Sequence, residues 1–393
     1  MLPRDELVIK MNKILDGVRV LELGQVLAGP FAGAILADLG AEVVKLERAR
    51  VGDDARHMGA EFHNGAALNF HIFNRGKKSI VIDLKSPAGL AQLERLAQDT
   101  DILIHNLRPG VTEQLGIDGV SMCERHPRLI YCSISAFGHI GPMANQPGYE
   151  PLVQAFSGMS STNGGPDDPP MRSAASLCDQ GTGMWAVIAA LALLQRRHRT
   201  GRGGVVHASL LETALGWNAQ KADAYANEGR LPERHRSGHP GFVPYESFDT
   251  ADYPILICCG NDRLFAKLSQ ELGRPDWVQC NQFSTNRSRL EHKTQLFAQL
   301  KPLLKQRSRD HWLLRFERAG VPCAPVHTIA EALAHPQVIA LGMTQNIPGE
   351  NFTLTALPVS IDNQRPTLTA AGPQLSEHNA QYGLEPIKGE SDE

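Results

Sequence analysis

Asp179 is the residue whose neighbours best prepare it for chemistry. It follows the small and apolar run Ala174-Ala175-Ser176-Leu177-Cys178 and precedes Gly181, Gly183 and the stretch MWAVIAALALLQRR. A carboxylate at the start of a helix is stabilised by backbone N–H groups and by the helix dipole, so its plainest role is an N-cap. The chemical alternative is a carboxylate nucleophile, with glycines letting a substrate approach closely. The pattern alone leaves both open. Glu150 stands near the start of another predicted helix, 149–158, where an acid is again often a cap. The best histidine pair for a metal, His235 and His239, lies in a Gly/Pro-rich segment without further ligands at a suitable spacing, so no metal site is expected. Seven cysteines, at 123, 132, 178, 258, 259, 280 and 323, form no C-x-x-C pair. Several sit in apolar strands, which suits buried, reduced thiols in a cytoplasmic protein.

The elements that must position these groups begin early. VRVLELGQVLAGPFAGAILADLGAEVVKLER, residues 18–48, predicts strand 18–23, a glycine-containing turn, a helix near 31–39 and strand 41–46. This is a βαβ unit, whose helix N-terminus and strand carboxyl ends favour phosphate. A dinucleotide fold would place Glu47 on a ribose hydroxyl. The spacing argues against it: Gly24, Gly29 and Gly33 do not make G-x-G-x-x-G, and Pro30 stiffens the turn. Further strands are predicted at 79–84, 101–107, 129–135 and 205–210, with helices at 87–98, 111–115 and 179–197. Pro87 suits a first helical position. The alternation predicts a doubly wound α/β sheet with binding at strand carboxyl ends. Residues 1–222 form the first part of this large domain, 223–237 a linker, and 238–322 a smaller α/β domain. The latter has a strand at 254–259 and helices at 262–272, 286–305 and 309–318, with Ser308 as the N-cap of the last. Residues 323–393 follow, with a tail after Pro386 expected to be disordered.

Composition narrows the classes. A hydrophobic share of 42%, a charged share of 21% and a net charge of −3 are those of a soluble globular chain without a nucleic-acid footprint. The longest apolar run, 185–194, is too short to span a bilayer, and the first ten residues, with Asp5 and Glu6, do not read as a signal peptide.

The ordered blocks residues 18–48, GDDAR (52–56), FNRGKKSIVIDLK (73–85), HNLRPG (105–110), HPRLIYCSISAFGHIGP (126–142), PGYEPLVQAFSGM (147–159), DQGTGMWAVIAALALLQRRHRTGRGG (179–204), VPYESF (243–248) and AGVPCAPVHTIAEALAHPQV (319–338) together resemble the class III coenzyme A transferases of the CaiB/BaiF type. The resemblance implies a Rossmann-like CoA-binding large domain, completed by the 323–393 return segment, and an interlocked homodimer. It implies Asp179 as nucleophile, with CoA passing through aspartyl-anhydride and aspartyl-CoA thioester intermediates. It places Gln25, Val26, Leu27 and Ala28 against the nucleotide, Arg48 at a phosphate, Ile82 and Lys85 at the next strand end, and Asn106, Leu107 and Arg108 after that. Tyr149 and Glu150 lie near the thioester, where Glu150 assists in positioning. No cofactor is held permanently; acyl-CoA and a carboxylic acid are the substrates, with no membrane or nucleic-acid partner.

Three departures from the family pattern bear on specificity. Gln114 stands where some members carry an Arg to CoA, His207 replaces a common Asp and reads as structural, and 258–265 lacks the multi-glycine loop of the formyl-CoA enzymes. The expected donor is succinyl-CoA and the acceptor a dicarboxylate of four to six carbons. His57, His63, His71, His139, Arg236 and His239 crowd the loops and would suit an anionic acceptor. One rival is an acyl-CoA racemase of the same fold. It needs a histidine where Tyr149 stands, and a neutral phenol is a poor base at pH 7. The other is a non-catalytic acyl-CoA- or dinucleotide-binding protein.

Overall fold

A computed structural model describes residues 14–385; the expectations for the first ten residues and for the tail after Pro386 lie outside them. The chain forms two compact units. One comprises residues up to Met159, Arg172–Ala222 and those from Ile339 on; the other comprises Ser160–Met171 and Asp223–Val338.

The first unit is built on six parallel strands: β1 (Arg19–Leu23), β2 (Glu42–Glu47), β3 (Lys78–Val81), β4 (Ile102–His105), β5 (Ile130–Ser135) and β6 (Gly204–Ser209). Their order is β3-β2-β1-β4-β5-β6. The sheet therefore grows outward from β1 in one direction and then in the other, leaving a crevice between the carboxyl ends of β1 and β4. Alternate strand residues serve opposite faces. Val20, Val43, Ile104, Ile130 and Cys132 pack under helices α1 (Ala28–Asp38) and α4 (Leu177–Thr200). Leu21, Val44, Ile80, Leu103 and Tyr131 pack with Leu93 and Ala97 of α2 (Pro87–Gln98). Burial on both faces explains the nearly continuous apolar strands. As expected, Pro87 opens α2, behind the Ser86 hydroxyl, which accepts the Gly89 N–H (3.0 Å).

Two charged residues interrupt that apolar run and find each other. Glu22 and Lys45 are register partners on β1 and β2, and both are fully buried. Lys45 Nζ meets Glu22 Oε1 (2.9 Å), Asp53 Oδ2 (2.8 Å) and the Gly24 carbonyl (2.8 Å). Lys77 Nζ takes the other Glu22 oxygen (2.5 Å). Burial pulls the Lys77 ammonium down to about 8. Burial also acts against Lys45, but Asp53 and Glu22 outweigh it and hold its pKa above the usual value.

The remaining helices relevant to the site are α3 (Glu150–Phe156) and α5 (Leu210–Trp217). Among the described residues α4 alone is long and apolar enough to cross a membrane by length and composition. The uninterrupted run 185–194 understates it. In this fold one of its faces, including Ala186, Val187, Ala190 and Leu194, belongs to the core of the first unit.

The last segment of this unit closes the open edge of the sheet. Ser79 N–H donates to His378 Nδ1 (3.2 Å) and Val81 N–H to Asn379 Oδ1 (2.9 Å), while His378 N–H returns a bond to the Ser79 carbonyl (3.0 Å). An unpaired edge is thus covered.

The second unit carries three antiparallel strands, β7 (Tyr245–Phe248), β8 (Ile255–Cys258) and β9 (Cys323–Pro325), in the order β9-β8-β7. Helices α6 (Asp262–Glu271), α7 (Lys293–Leu304) and α8 (Arg309–Ala319) supply Phe265, Leu296, Leu300 and Phe316 to its core. Ser308 caps α8 by accepting the His311 N–H (3.3 Å).

Several boundaries differ from expectation. Cys323 pairs with Ile257, so the small unit continues past 322 and the return begins after Val338. The expected linker 223–237 starts inside a helix, Ala219–Glu228, and belongs to the second unit. Ser160–Met171 belongs there too, tied by the Arg236 N–H to the Gly164 carbonyl (2.9 Å). The helix expected over 286–305 is two helices, Asn286–Glu291 and Lys293–Leu304, because His292 leaves helical geometry (φ −112°, ψ 26°).

Candidate active site

Asp179 lies in the first turn of α4, three residues past the N-cap position, which Ser176 occupies. It is therefore not a cap. Its carboxyl instead meets that of Glu150, the first residue of α3, across from it. Glu150 is buried and oriented by two donors to one oxygen: the Cys178 N–H (2.8 Å) and Gln154 Nε2 (3.0 Å) both reach Oε1. Burial pushes the Asp179 carboxyl up to about 7, helped by the Glu150 charge and by the hydrogen bond between the two groups. Burial likewise pushes the Cys178 thiol up to about 12, reinforced by Glu150 and Asp179. The thiol is thus neutral, which leaves the Asp179 carboxyl as the member of the two that ionises near neutral pH. Tyr149, the N-cap residue of α3, is exposed beside Glu150.

The glycines after Asp179 do not open space for a substrate. A Cβ on Gly181 would lie 2.7 Å from Thr213 and 2.8 Å from the Trp217 indole nitrogen. One on Gly183 would lie 2.8 Å from the Ala28 carbonyl. Both glycines serve close helix packing, against α5 and α1. Gly183 brings α4 onto the N-terminus of α1, and Asp179 sits one turn earlier on α4.

The turn that follows β1 is tightly specified. Asn106, just after β4, locks it from across the crevice: its Oδ1 accepts the Gln25 N–H (2.7 Å) and its Nδ2 donates to the Gln25 carbonyl (2.8 Å). Val26 adopts a left-handed conformation (φ 64°), which is costly for a β-branched residue. Asp53 Oδ1 holds it there by accepting the Val26 N–H (2.9 Å). Leu27 is the N-cap residue of α1 without a side-chain cap, and Ala28 is the first helical residue. Such a helix start presents backbone donors to an anion. Buried His105 shapes the facing loop by accepting the Leu107 N–H on Nδ1 (3.3 Å).

Gln25, Val26, Leu27, Ala28 and Asn106 therefore converge at the crevice between β1 and β4. Leu107 is half-buried behind them and Arg108 is exposed. Arg48 follows β2 on the same carboxyl edge, exposed, bound to the Gly52 carbonyl (3.1 Å) and paired with Asp54. Lys85 is exposed beyond β3, at the sheet edge. Ile82 is 3% exposed and packs in the core, so its side chain is not at a binding surface. Glu47, the residue a dinucleotide fold would use, is consumed by Arg56 (2.6 Å) and by the Ser79 hydroxyl (2.6 Å).

The loop histidines are mostly occupied elsewhere. His63 pairs with Glu350 (2.6 Å) and stacks on Phe352, and His71 bonds the His63 carbonyl (2.7 Å) and accepts the Gly372 N–H (3.2 Å). They fasten the return segment. His57 bonds the Val51 carbonyl (3.1 Å). His139 stacks on His207 with centroids 4.0 Å apart. Arg236 and His239 belong to the other unit.

Sequence reasoning missed Gln154 and Asp53. The signal for Gln154 was its place one helical turn after Glu150. For Asp53 there was no local signal, because it reaches Val26 across 27 positions of sequence.

A family model described as CoA-transferase family III matches residues 15–379. The chain is 37% identical to the succinate–glutarate CoA-transferase of Agrobacterium fabrum, over 93% of this chain and 94% of the relative. It is 36% identical to the acetyl-CoA:oxalate CoA-transferase of Acetobacter aceti, over 93% and 94%. Among solved structures, a CaiB/BaiF family protein from Brucella suis superposes with a TM-score of 0.86 at 36% identity, covering 94% of this chain and 98% of that one.

Proposed function

The chain belongs to CoA-transferase family III, and we propose that Asp179 is the nucleophile by which it moves coenzyme A from succinyl-CoA to a dicarboxylic acid. The exchange of CoA between an acyl-CoA and a carboxylic acid is the activity of this family. The observation that carries the assignment is the pairing of the half-buried Asp179 carboxyl with the buried Glu150 carboxyl.

An Asp179 carboxylate oxygen attacks the thioester carbonyl carbon; the C–S bond breaks and CoA leaves as thiolate with the electron pair. The product is an aspartyl-acyl anhydride. The thiolate attacks the aspartyl carbonyl, forming the aspartyl-CoA thioester and releasing the donor acid as carboxylate. The acceptor carboxylate then attacks this thioester, giving a second anhydride and CoA thiolate. Attack of the thiolate on the acceptor carbonyl yields the new acyl-CoA and restores Asp179. Charges balance at every step and no proton is consumed. Anhydride and thioester are of comparable reactivity, so no step is a deep trap. Glu150 positions Asp179. The turn 25–28 with Asn106, Leu107 and Arg108 takes the nucleotide end of CoA, Arg48 and Lys85 its phosphates, and Tyr149 lies near the thioester.

We read the large unit as a Rossmann-like domain on its strand order. We propose a homodimer because α4 and α5 expose Met184, Trp185, Ile188, Leu215 and Trp217, a run of large apolar side chains that a free surface would not favour. Light scattering should give twice the chain mass; a monomer at micromolar concentration would refute it. A succinyl donor and a dicarboxylate acceptor follow the relatives whose names carry succinate and glutarate.

The decisive experiment is trapping. The protein is incubated with succinyl-CoA and other acyl-CoAs, quenched with hydroxylamine and mapped by peptide mass. A hydroxamate on Asp179 is expected. CoA binding without an adduct there, for every donor, overturns the reading.

A further inference from the structure

We propose that Gln154 is a positioning residue for the transfer reaction, holding the Glu150 carboxylate against Asp179. The inference rests on Asp179 as nucleophile and goes one layer behind it. Gln154 is completely buried, one turn after Glu150 on α3. A buried primary amide is costly unless both ends are bonded. Here both ends are used directionally. Nε2 donates to Glu150 Oε1 (3.0 Å), and Oε1 of the amide accepts the Ser173 N–H (2.8 Å). Ser173 lies in the segment that leads into α4. The Cys178 N–H completes the clamp on the same Glu150 oxygen (2.8 Å).

The two donors fix Oε1, and with it the carboxyl that hydrogen-bonds Asp179. The amide thus ties α3 to the approach of α4, and the distance between the two carboxyl groups is set by a closed chain of hydrogen bonds. The titratable groups facing Asp179 in this chain are Glu150 from α3 and Cys178 from α4. Loss of the amide frees Glu150 to swing away, which weakens its field on Asp179 and loosens the nucleophile. A misplacement of this order costs ~10–100-fold in rate.

The test compares the wild-type protein, Gln154→Met and Ser173→Pro. Methionine fills similar volume without either hydrogen bond; proline deletes the N–H that anchors the amide, together with the Ser173 hydroxyl and the freedom of φ there. Measured are kcat, KM for the acyl-CoA, the pH profile of kcat/KM, the hydroxamate yield at Asp179 and thermal unfolding. Expected for Gln154→Met are a ~10–100-fold fall in kcat, a KM within about twofold of wild type, and an acid limb moved to lower pH. Ser173→Pro should shift the limb the same way by less. If Gln154→Met does not fold, Ser173→Pro decides alone. Folded variants with wild-type kcat and an unmoved acid limb overturn the proposal. A purely structural role would lower the melting temperature and leave the limb in place, which also overturns it. Absence of a wild-type hydroxamate at Asp179 would instead remove the nucleophile reading beneath it.

Discussion

At the scale of single residues the site depends on two carboxyl groups that burial forces together. In the proposed mechanism Asp179 must be ionised to attack, and its carboxyl is raised to about 7 by burial, then by Glu150. The rate constant kcat/KM, which reports the free enzyme, should therefore climb with pH through about 7 and level above it. Glu150→Gln removes the opposing charge, so the same limb should move to lower pH while kcat falls. Stability runs the other way. A carboxyl whose pKa is higher folded than unfolded binds more protons in the native state, so its contribution falls as pH rises from about 4 to about 7. Asp179→Asn should leave stability at pH 4 nearly unchanged and raise it by about 2–4 kcal/mol at pH 8, read from denaturant unfolding at both pH values. The sequence pointed to Asp179 by its flanking residues, but not to why it is reactive. That comes first from burial and then from Glu150, 29 positions away in sequence, through contacts no local pattern encodes.

At the scale of elements the strands were legible because burial on both faces leaves long apolar runs, and the helix starts were legible where Pro87 opens a helix and Ser308 supplies a cap. The role of the glycines was not legible. Small residues near a nucleophile suit an open pocket and close helix packing equally, and only the third dimension decides. Gly183→Ala should push α4 from the Ala28 carbonyl, costing about 1–3 kcal/mol in unfolding free energy and lowering kcat more than CoA affinity. The buried charges of β1 and β2 were also hidden, since Glu22 and Lys45 become partners only once the register is known. Glu22→Leu leaves Lys45 with Asp53 alone among carboxylates in direct contact and strips Lys77 of its carboxylate. A loss of about 3–5 kcal/mol is expected by chemical denaturation.

At the scale of the whole molecule, the alternation of elements revealed a large α/β unit and a smaller one, but the exact points of exchange depend on pairings such as Ile257 with Cys323. The return of the chain to the sheet edge could not be read from periodicity, because His378 and Asn379 act there through side chains rather than as a strand. A chain ended at residue 338 would leave Ser79 and Val81 unpaired and deprive Arg56 of the Pro373 carbonyl (3.0 Å). Such a truncation is expected to be recovered mainly as aggregate, measured as the soluble fraction after expression.

The placement of that edge also orders events in time. On the ribosome the six strands of the sheet emerge by residue 209, yet the groups that close its flank emerge some 170 residues later. During that interval most of the second unit is synthesised, and its three strands need nothing beyond Pro325 to pair. The smaller unit can therefore finish first although it begins later, while the larger unit waits with one bare strand. For such a chain the vulnerable moment is late elongation, when a nearly complete sheet still lacks its border, and that is where a chaperone would have most to protect.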